Sequence, residues 1–353
     1  NYNNAIPSGY YEIQSKVSGK IFSVDNGGFV NGKNIVMNSD SNLTSQAIYL
    51  SNNGDGTYTL KSYNSNRLLE KNSNNLFQNT GNNSASQKFK IINGSVTGEY
   101  YIESVLDGTI IGINSNLQYN NLTFNSKYNK TPNNIFKFNG ISTLPTNGGV
   151  AQDNLGQFYK IKVKHSNFYL DMGSYYNGYK LVQYPNTNGD NQIFYFQKTD
   201  DGYYNLKAAH SGKPLDVLGY STANFAYIGQ WESNNAQNQK WIIIKDGDGY
   251  FRVISAFSEK SLDVGGFSQS PGALVIQYEY NGCDNQKFSL EASQYRSSML
   301  SPYYEYVDLD TNKLYSFTSI VNGKVMDIQN SSLNNGARII AGTNIYSSSQ
   351  YFK

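Results

Sequence analysis

SGKPLDV at 211–217 and GQWESNNAQNQKW at 229–241 hold the pattern that decides the fold, because the same marks recur one step up and one step down the chain. Upstream the chain reads YLDM (169–172) and VQYPNTNGDNQIF (182–194); downstream it reads SLDV (261–264) and IQYEYNGCDNQKF (276–288). Gln192, Gln239 and Gln286 are 47 residues apart, and the aromatics Tyr184, Trp231 and Tyr278 keep the same step. Asp171, Asp216 and Asp263 keep it within two residues. A period of this size marks one supersecondary unit copied in series, each copy needing its neighbours to close a core. Because a polar trio repeats with the apolar pattern, a surface chemistry is repeated along with the fold.

Working outward, short alternating runs such as YYEIQSKV, TYTLKSY, YYIESV, FYKIKVK, YYNLKAA and FRVISAF read as half-buried strands. Turns such as VSGK, HSGK, GDGT, DDGY and GDGY separate them. No segment keeps a helical period over three turns, so the chain is expected to be all-β. Glutamine-like marks count seven repeats, ending near Tyr49, Phe89, Phe136, Phe194, Trp241, Phe288 and Phe352. Polar stretches at 141–156 (ISTLPTNGGVAQDNLG) and around 293–302 (within EASQYRSSMLSP) read as linkers. They group the repeats as three, three and one. A propeller would not be cut this way and would want a Trp-Asp signature. Three repeats between linkers suit the pseudo-threefold closure of a β-trefoil.

The Gln-x-aromatic ending, strictest in Gln239-Lys240-Trp241 and preceded by SGKPLDV and Gln230-Trp231, resembles the ricin-type (Gln-x-Trp) β-trefoil lectin family. The resemblance is strong over 157–290 and weak over 8–140. It implies tandem β-trefoils of three repeats each, at 8–140 and 157–292, followed by a single partial repeat at 303–353. In the family the Gln-x-Trp element is structural, and the physics agrees. The aromatic fills the threefold core, while the Gln amide satisfies backbone groups at a turn.

The remaining trio suits a sugar. An aromatic ring stacks on a face of C–H groups. A carboxylate accepts charge-assisted bonds from neighbouring hydroxyls, and an amide both donates and accepts. The resemblance implies this use at three sites: Asp171, Tyr184 and Asn191; Asp216, Trp231 and Asn238; Asp263, Tyr278 and Asn285. The bland alternative is that Asp caps a loop and Asn-Gln pins a turn. Decayed copies weigh against it, since the other repeats lack the full trio. Ser23 and Asn38 stand in the first repeat, Glu70 and Asn79 in the second, and Gly112, Ser126 and Asn133 in the third. The seventh has Asp327 and Gly342. On this reading, replacing one of the three aspartates should leave stability nearly unchanged.

Charged residues make up 15% of the 353, the net charge is +2, and 31 residues are Tyr. That balance offers no field for nucleic acid. A single cysteine, Cys283, excludes an internal disulfide framework. No apolar run approaches the ~20 residues of a membrane helix, so insertion by this region is not expected. The opening NYNNAIP reads as a mature or excised piece. His165 and His210 lack partners at ligand spacing, DGDG at 246–249 reads as a hairpin tip, and Asp200-Asp201 as turn residues. No catalytic residue, metal or cofactor is expected.

The polar trio points to a non-enzymatic, multivalent lectin, and the resemblance implies galactose or N-acetylgalactosamine on cell-surface glycoproteins or glycolipids as its ligand. The resemblance extends to the binding regions of mosquitocidal and pierisin-type toxins. It implies the receptor-binding part of a secreted bacterial toxin, with further domains in a parent chain. The alternatives are a targeting appendage of a carbohydrate-active enzyme, or a structural or inhibitor trefoil that ignores sugar.

Overall fold

The computed structural model describes residues 6–114, 120–155, 158–293, 325–328, 339–342 and 350. Strands and short 3-10 turns are the regular elements among them, so the chain is all-β. It separates into two compact units, Asn1–Gln294 and Tyr295–Lys353.

Within the first unit two sets of strands each close on themselves. Gly9–Ser15 pairs with Phe136–Gly140, from Tyr11↔Gly140 to Ser15↔Phe136. Phe158–Val163 pairs in the same way with Phe288–Ala292, from Tyr159↔Ala292 to Val163↔Phe288. Joining first strand to last removes the open edge that a short sheet would otherwise present. In the second trefoil each repeat contributes an inner hairpin, such as Leu215–Val217 with Ile228–Gln230. The three hairpins touch one another through the bridges Lys180↔Gly229, Val182↔Leu274 and Tyr227↔Ile276.

The residue two beyond each glutamine lies on the axis of closure. Phe194, Trp241 and Phe288 are fully buried in one core, and Phe89 and Phe136 in the other. In the first repeat that place belongs to Ile48 rather than to the expected Tyr49. Strand alternation puts Ile48 inward and its neighbour outward. The Trp241 indole N–H donates to the Leu215 carbonyl at 3.1 Å, so the largest core side chain is also polar-satisfied.

Residues 141–156 carry a linker's composition, yet part of the stretch works as a strap. Val150–Ala151 pairs with Trp241–Lys245 of the second trefoil. The first trefoil holds the same segment, because Ala151 N donates to Asn64 O at 2.6 Å and Thr44 Oγ1 donates to Gly149 O at 2.8 Å. Beside the strap Phe29, Ala151, Tyr203, Ile242, Ile244 and Ile254 form a shared apolar cluster. Arg67, buried in the first trefoil, lies over the Tyr203 ring at 4.4 Å and donates to the Asp201 carbonyl at 3.3 Å. Arg252 grips Asp246 through Nε and Nη2 and donates to Gly148 O at 2.9 Å.

Of the seventh repeat, the structure describes a hairpin, Val325–Ile328 with Ile339–Gly342, in which Asp327 faces Ile340.

Trp241→Ala is expected to cost about 3–5 kcal/mol, from lost burial and the cavity left behind. Urea denaturation of the full chain measures it, and a midpoint equal to the parent's contradicts the core assignment.

Candidate functional site

Each site is assembled from a turn upward. Gln192 accepts from Thr187 N at 2.9 Å and donates to Pro185 O at 2.8 Å and to Asp171 Oδ2 at 2.9 Å. Gln239 accepts from Asn234 N at 3.1 Å and donates to Glu232 O and Asp216 Oδ2, both at 2.9 Å. Gln286 accepts from Asn281 N and donates to Glu279 O and Asp263 Oδ2, all at 2.9 Å. The other carboxylate oxygen takes the neighbouring amide. Asn191 Nδ2 reaches Asp171 Oδ1 at 2.7 Å, Asn238 reaches Asp216 at 2.9 Å, and Asn285 reaches Asp263 at 2.8 Å.

The ring is placed by strand register. Asp171 faces Val182, Asp216 faces Gly229 and Asp263 faces Ile276. In every case the aromatic stands two residues further along, on the same face of the hairpin as the acid. Tyr184 is 43% and Trp231 45% exposed, whereas the three aspartates are 4–5% exposed. The structure thus brings each expected trio onto one face, with a carboxylate at the floor and a ring at the rim. Beside the first site an open cleft of about 590 Å³ is lined by Gly173, Tyr175, Asn191 and the next repeat's His210.

Two expectations change. The amide was expected to both donate and accept, but Asn238 Nδ2 is spent on Asp216 and on Val217 O, and Asn285 Nδ2 on Asp263 and Val264 O. The amide oxygens, Asn238 Oδ1 and Asn285 Oδ1, are by contrast buried with no partner. An acceptor left in that state is unusual in a folded protein. The aspartate, in turn, is not dispensable to the fold, since it holds two side-chain amides in place. Burial pushes the Asp263 carboxyl up to about 6, against the opposing pull of Gln286 and Asn285. Asp216 is raised for the same reason.

A second glutamine stands nine residues before the first, and of the three only Gln230, in Gln230-Trp231, figures in the sequence pattern, without its role. Gln183 Nε2 donates to Ser268 O and Ser270 O, Gln230 to Ser174 O and Tyr176 O, and Gln277 to Ser221 O and Ala223 O. Each accepts from a serine of its own repeat, Ser166, Ser211 or Ser258. Every repeat of the second trefoil therefore grips a loop of another, and the grip runs round the ring. The constant offset of nine and the serine in HSNF, HSGK and FSEK were the available signals. The two histidines fasten the same loops, with His165 Nε2 2.8 Å from Ser268 O and His210 Nε2 3.0 Å from Ser174 O.

The first trefoil uses the same places differently. Ser23 and Asn38 line a cleft of about 430 Å³ whose other lining includes Asp246, Arg252 and Tyr280 of the second trefoil. Glu70 takes the acid's role toward the turn, accepting from Gln87 Nε2 at 3.0 Å and Ser86 Oγ at 3.1 Å. In the third repeat Gly112 faces Thr123, so register puts Asn125, not Ser126, in the ring position. In the second unit Gln350 donates to Asp327 Oδ2 at 3.0 Å, the same fastening as in the intact repeats.

The family model described as ricin-type beta-trefoil lectin domain-like matches residues 3–83, 143–231, 190–278 and 237–342. The chain belongs to this family of carbohydrate-binding trefoils. Among solved structures it is similar to ThreeFoil, a designed 3-fold symmetric protein, at 41% identity and a TM-score of 0.38 over 38% of this chain and 99% of that one. A mosquitocidal holotoxin matches at 17% identity and a TM-score of 0.42, covering 99% of this chain and 40% of the toxin. The ricin B-like lectin of Macrolepiota procera, in complex with lactose, matches at 23% and 0.36, over 40% of this chain and 99% of the lectin. This chain therefore spans less than half of the holotoxin's length. No curated protein matches.

Asp216→Ala is expected to destabilise by about 1–3 kcal/mol, because two buried amide donors lose their acceptor. Chemical denaturation decides between this and the negligible cost expected from sequence.

Proposed function

We propose that the second trefoil is a multivalent lectin for galactose or N-acetylgalactosamine, in the receptor-binding part of a secreted toxin. One observation carries the reading. A ring and a buried, oriented carboxylate share one hairpin face three times over, the ring exposed at Tyr184 and Trp231 and half-buried at Tyr278, and two of the adjoining amides have an oxygen without a partner. Ring stacking holds the C–H face of a sugar, and the carboxylate accepts from vicinal hydroxyls. A single shallow site of this kind is weak, at about millimolar affinity. Three on one rigid body gain ~10²–10⁴ in avidity on a glycan-coated surface. The role of the chain in this reading is binding alone, and any catalytic step belongs to another domain of the parent protein.

Rings make better test positions than aspartates, since Tyr184 and Trp231 are exposed and Tyr278 is half-buried, whereas the aspartates are buried. Tyr184→Ala, Trp231→Ala and Tyr278→Ala together are expected to abolish retention on galactose-agarose, with an unchanged far-ultraviolet spectrum and melting temperature. A parent chain that ignores every galactoside on a glycan array sinks the reading.

Protonation supplies a further check. The Asp263 carboxyl titrates near 6, above its ordinary range, so its neutral form is the one the fold favours. Its contribution to stability is present at low pH and lost as pH rises through about 6. Sugar binding runs the other way, because hydroxyls need the ionised acceptor. Affinity at the third site is expected to fall between pH 7.5 and pH 5 in titration calorimetry. A flat profile contradicts the role given to Asp263.

A further inference from the structure

Four loop residues occupy one equivalent place in the fold. Each donates its N–H to the carbonyl of the second glutamine of an adjoining repeat: Gly32 to Gln78 at 2.9 Å, Gly178 to Gln230 at 2.8 Å, Phe225 to Gln277 at 2.9 Å and Gly272 to Gln183 at 2.8 Å. All four are left-handed, with φ of 81°, 76°, 69° and 80°. Glycine suits this conformation, and a side chain there is strained. Phe225 is the exception.

Burial does not offset that strain, because Phe225 is 66% exposed. The loop is nonetheless held on both sides of it. Gln277 Nε2 donates to Ala223 O at 2.8 Å, Gln277 N donates to Ala226 O at 2.9 Å, and Glu279 N donates to Asn224 Oδ1 at 3.1 Å. The Phe225 ring stands against Tyr278, with centroids 5.0 Å apart and planes at 65°. The same place borders the ring of another site, since a Cβ on Gly178 would lie 3.4 Å from Trp231 Cζ3. A bulky ring kept in a strained, solvent-facing position beside a binding aromatic points to contact with something outside the chain.

We propose that Phe225 is a specificity-determining residue that sets the third site apart from the other two. It adds a second apolar wall to Tyr278, so the site favours a ligand whose C–H surface extends beyond the stacked sugar ring. Either an acetamido methyl or the face of an adjoining sugar supplies that surface. The inference rests on the reading of the second trefoil as a lectin.

The test uses the full chain carrying Tyr184→Ala and Trp231→Ala, which leaves the third site as reporter. Methyl galactoside, its N-acetylgalactosamine counterpart and lactose are titrated by calorimetry, with and without Phe225→Gly. The expected result is a loss of about fivefold for the acetamido sugar or for lactose, with methyl galactoside held within about twofold. The ligand that loses affinity identifies the source of the C–H surface. Phe225→Leu, which keeps apolar bulk, is expected to fall between parent and glycine. Phe225→Gly is also expected not to lower the melting temperature, since it relieves the backbone. Equal change across the three ligands, or none, overturns the role of Phe225 while the lectin reading stands. If the reporter chain and the unmodified parent both bind none of the three, the lectin reading fails and this inference goes with it.

Discussion

A buried primary amide at the foot of each repeat is the constraint from which the rest follows. The turn before the last strand of a repeat directs a backbone N–H and a backbone C=O at the buried glutamine, and each needs a hydrogen-bond partner. One glutamine side chain accepts from one such group and donates to another, and its remaining hydrogen goes to the aspartate. The aspartate is thereby aimed, and its second oxygen aims the asparagine. The floor of the proposed binding face is therefore built from the interactions that close the turn. On the proposed reading, fold and binding therefore share Asp171, Asp216 and Asp263, while the exposed rings of Tyr184 and Trp231 serve binding alone.

The glutamine-to-core spacing was legible because it is strict. Two residues after the amide, alternation turns the side chain inward, whether it is Trp241, Phe194 or Ile48. The acid and ring were legible because they repeat at nearly the same interval. What stayed hidden was how the trio's hydrogen bonds are shared out. Residue types show that Asn238 has two hydrogens to give, but not that Asp216 and Val217 O take both. The role of the second glutamine is hidden for a related reason, since its partners are carbonyls of a different repeat and carry no residue signature. The strap at 141–156 was also out of reach, because a segment bonded through its backbone can have the composition of a loose connector.

The seam between the trefoils bears on why the first repeat holds no trio. Ser23 and Asn38 share their cleft with Asp246, Arg252 and Tyr280, so residues of the second trefoil stand where a ligand would otherwise approach. Lys33 adds an ion pair to Glu259 at 2.9 Å across the same seam. A repeat committed to holding its neighbour has no use for an exposed ring, and small polar side chains allow the closer approach.

Arg67 sets a timetable for the chain's own synthesis. The strands of the first trefoil are complete by Gly140, yet the ring that covers Arg67 belongs to Tyr203, and the Asp201 carbonyl it binds lies 134 residues beyond it. At ~5–20 residues per second, the ribosome needs roughly 3–12 seconds to deliver those partners after the first ring can close. Through that interval the nascent protein carries a closed trefoil with one unfinished side, where Phe29 and the Arg67 guanidinium are still without their cover.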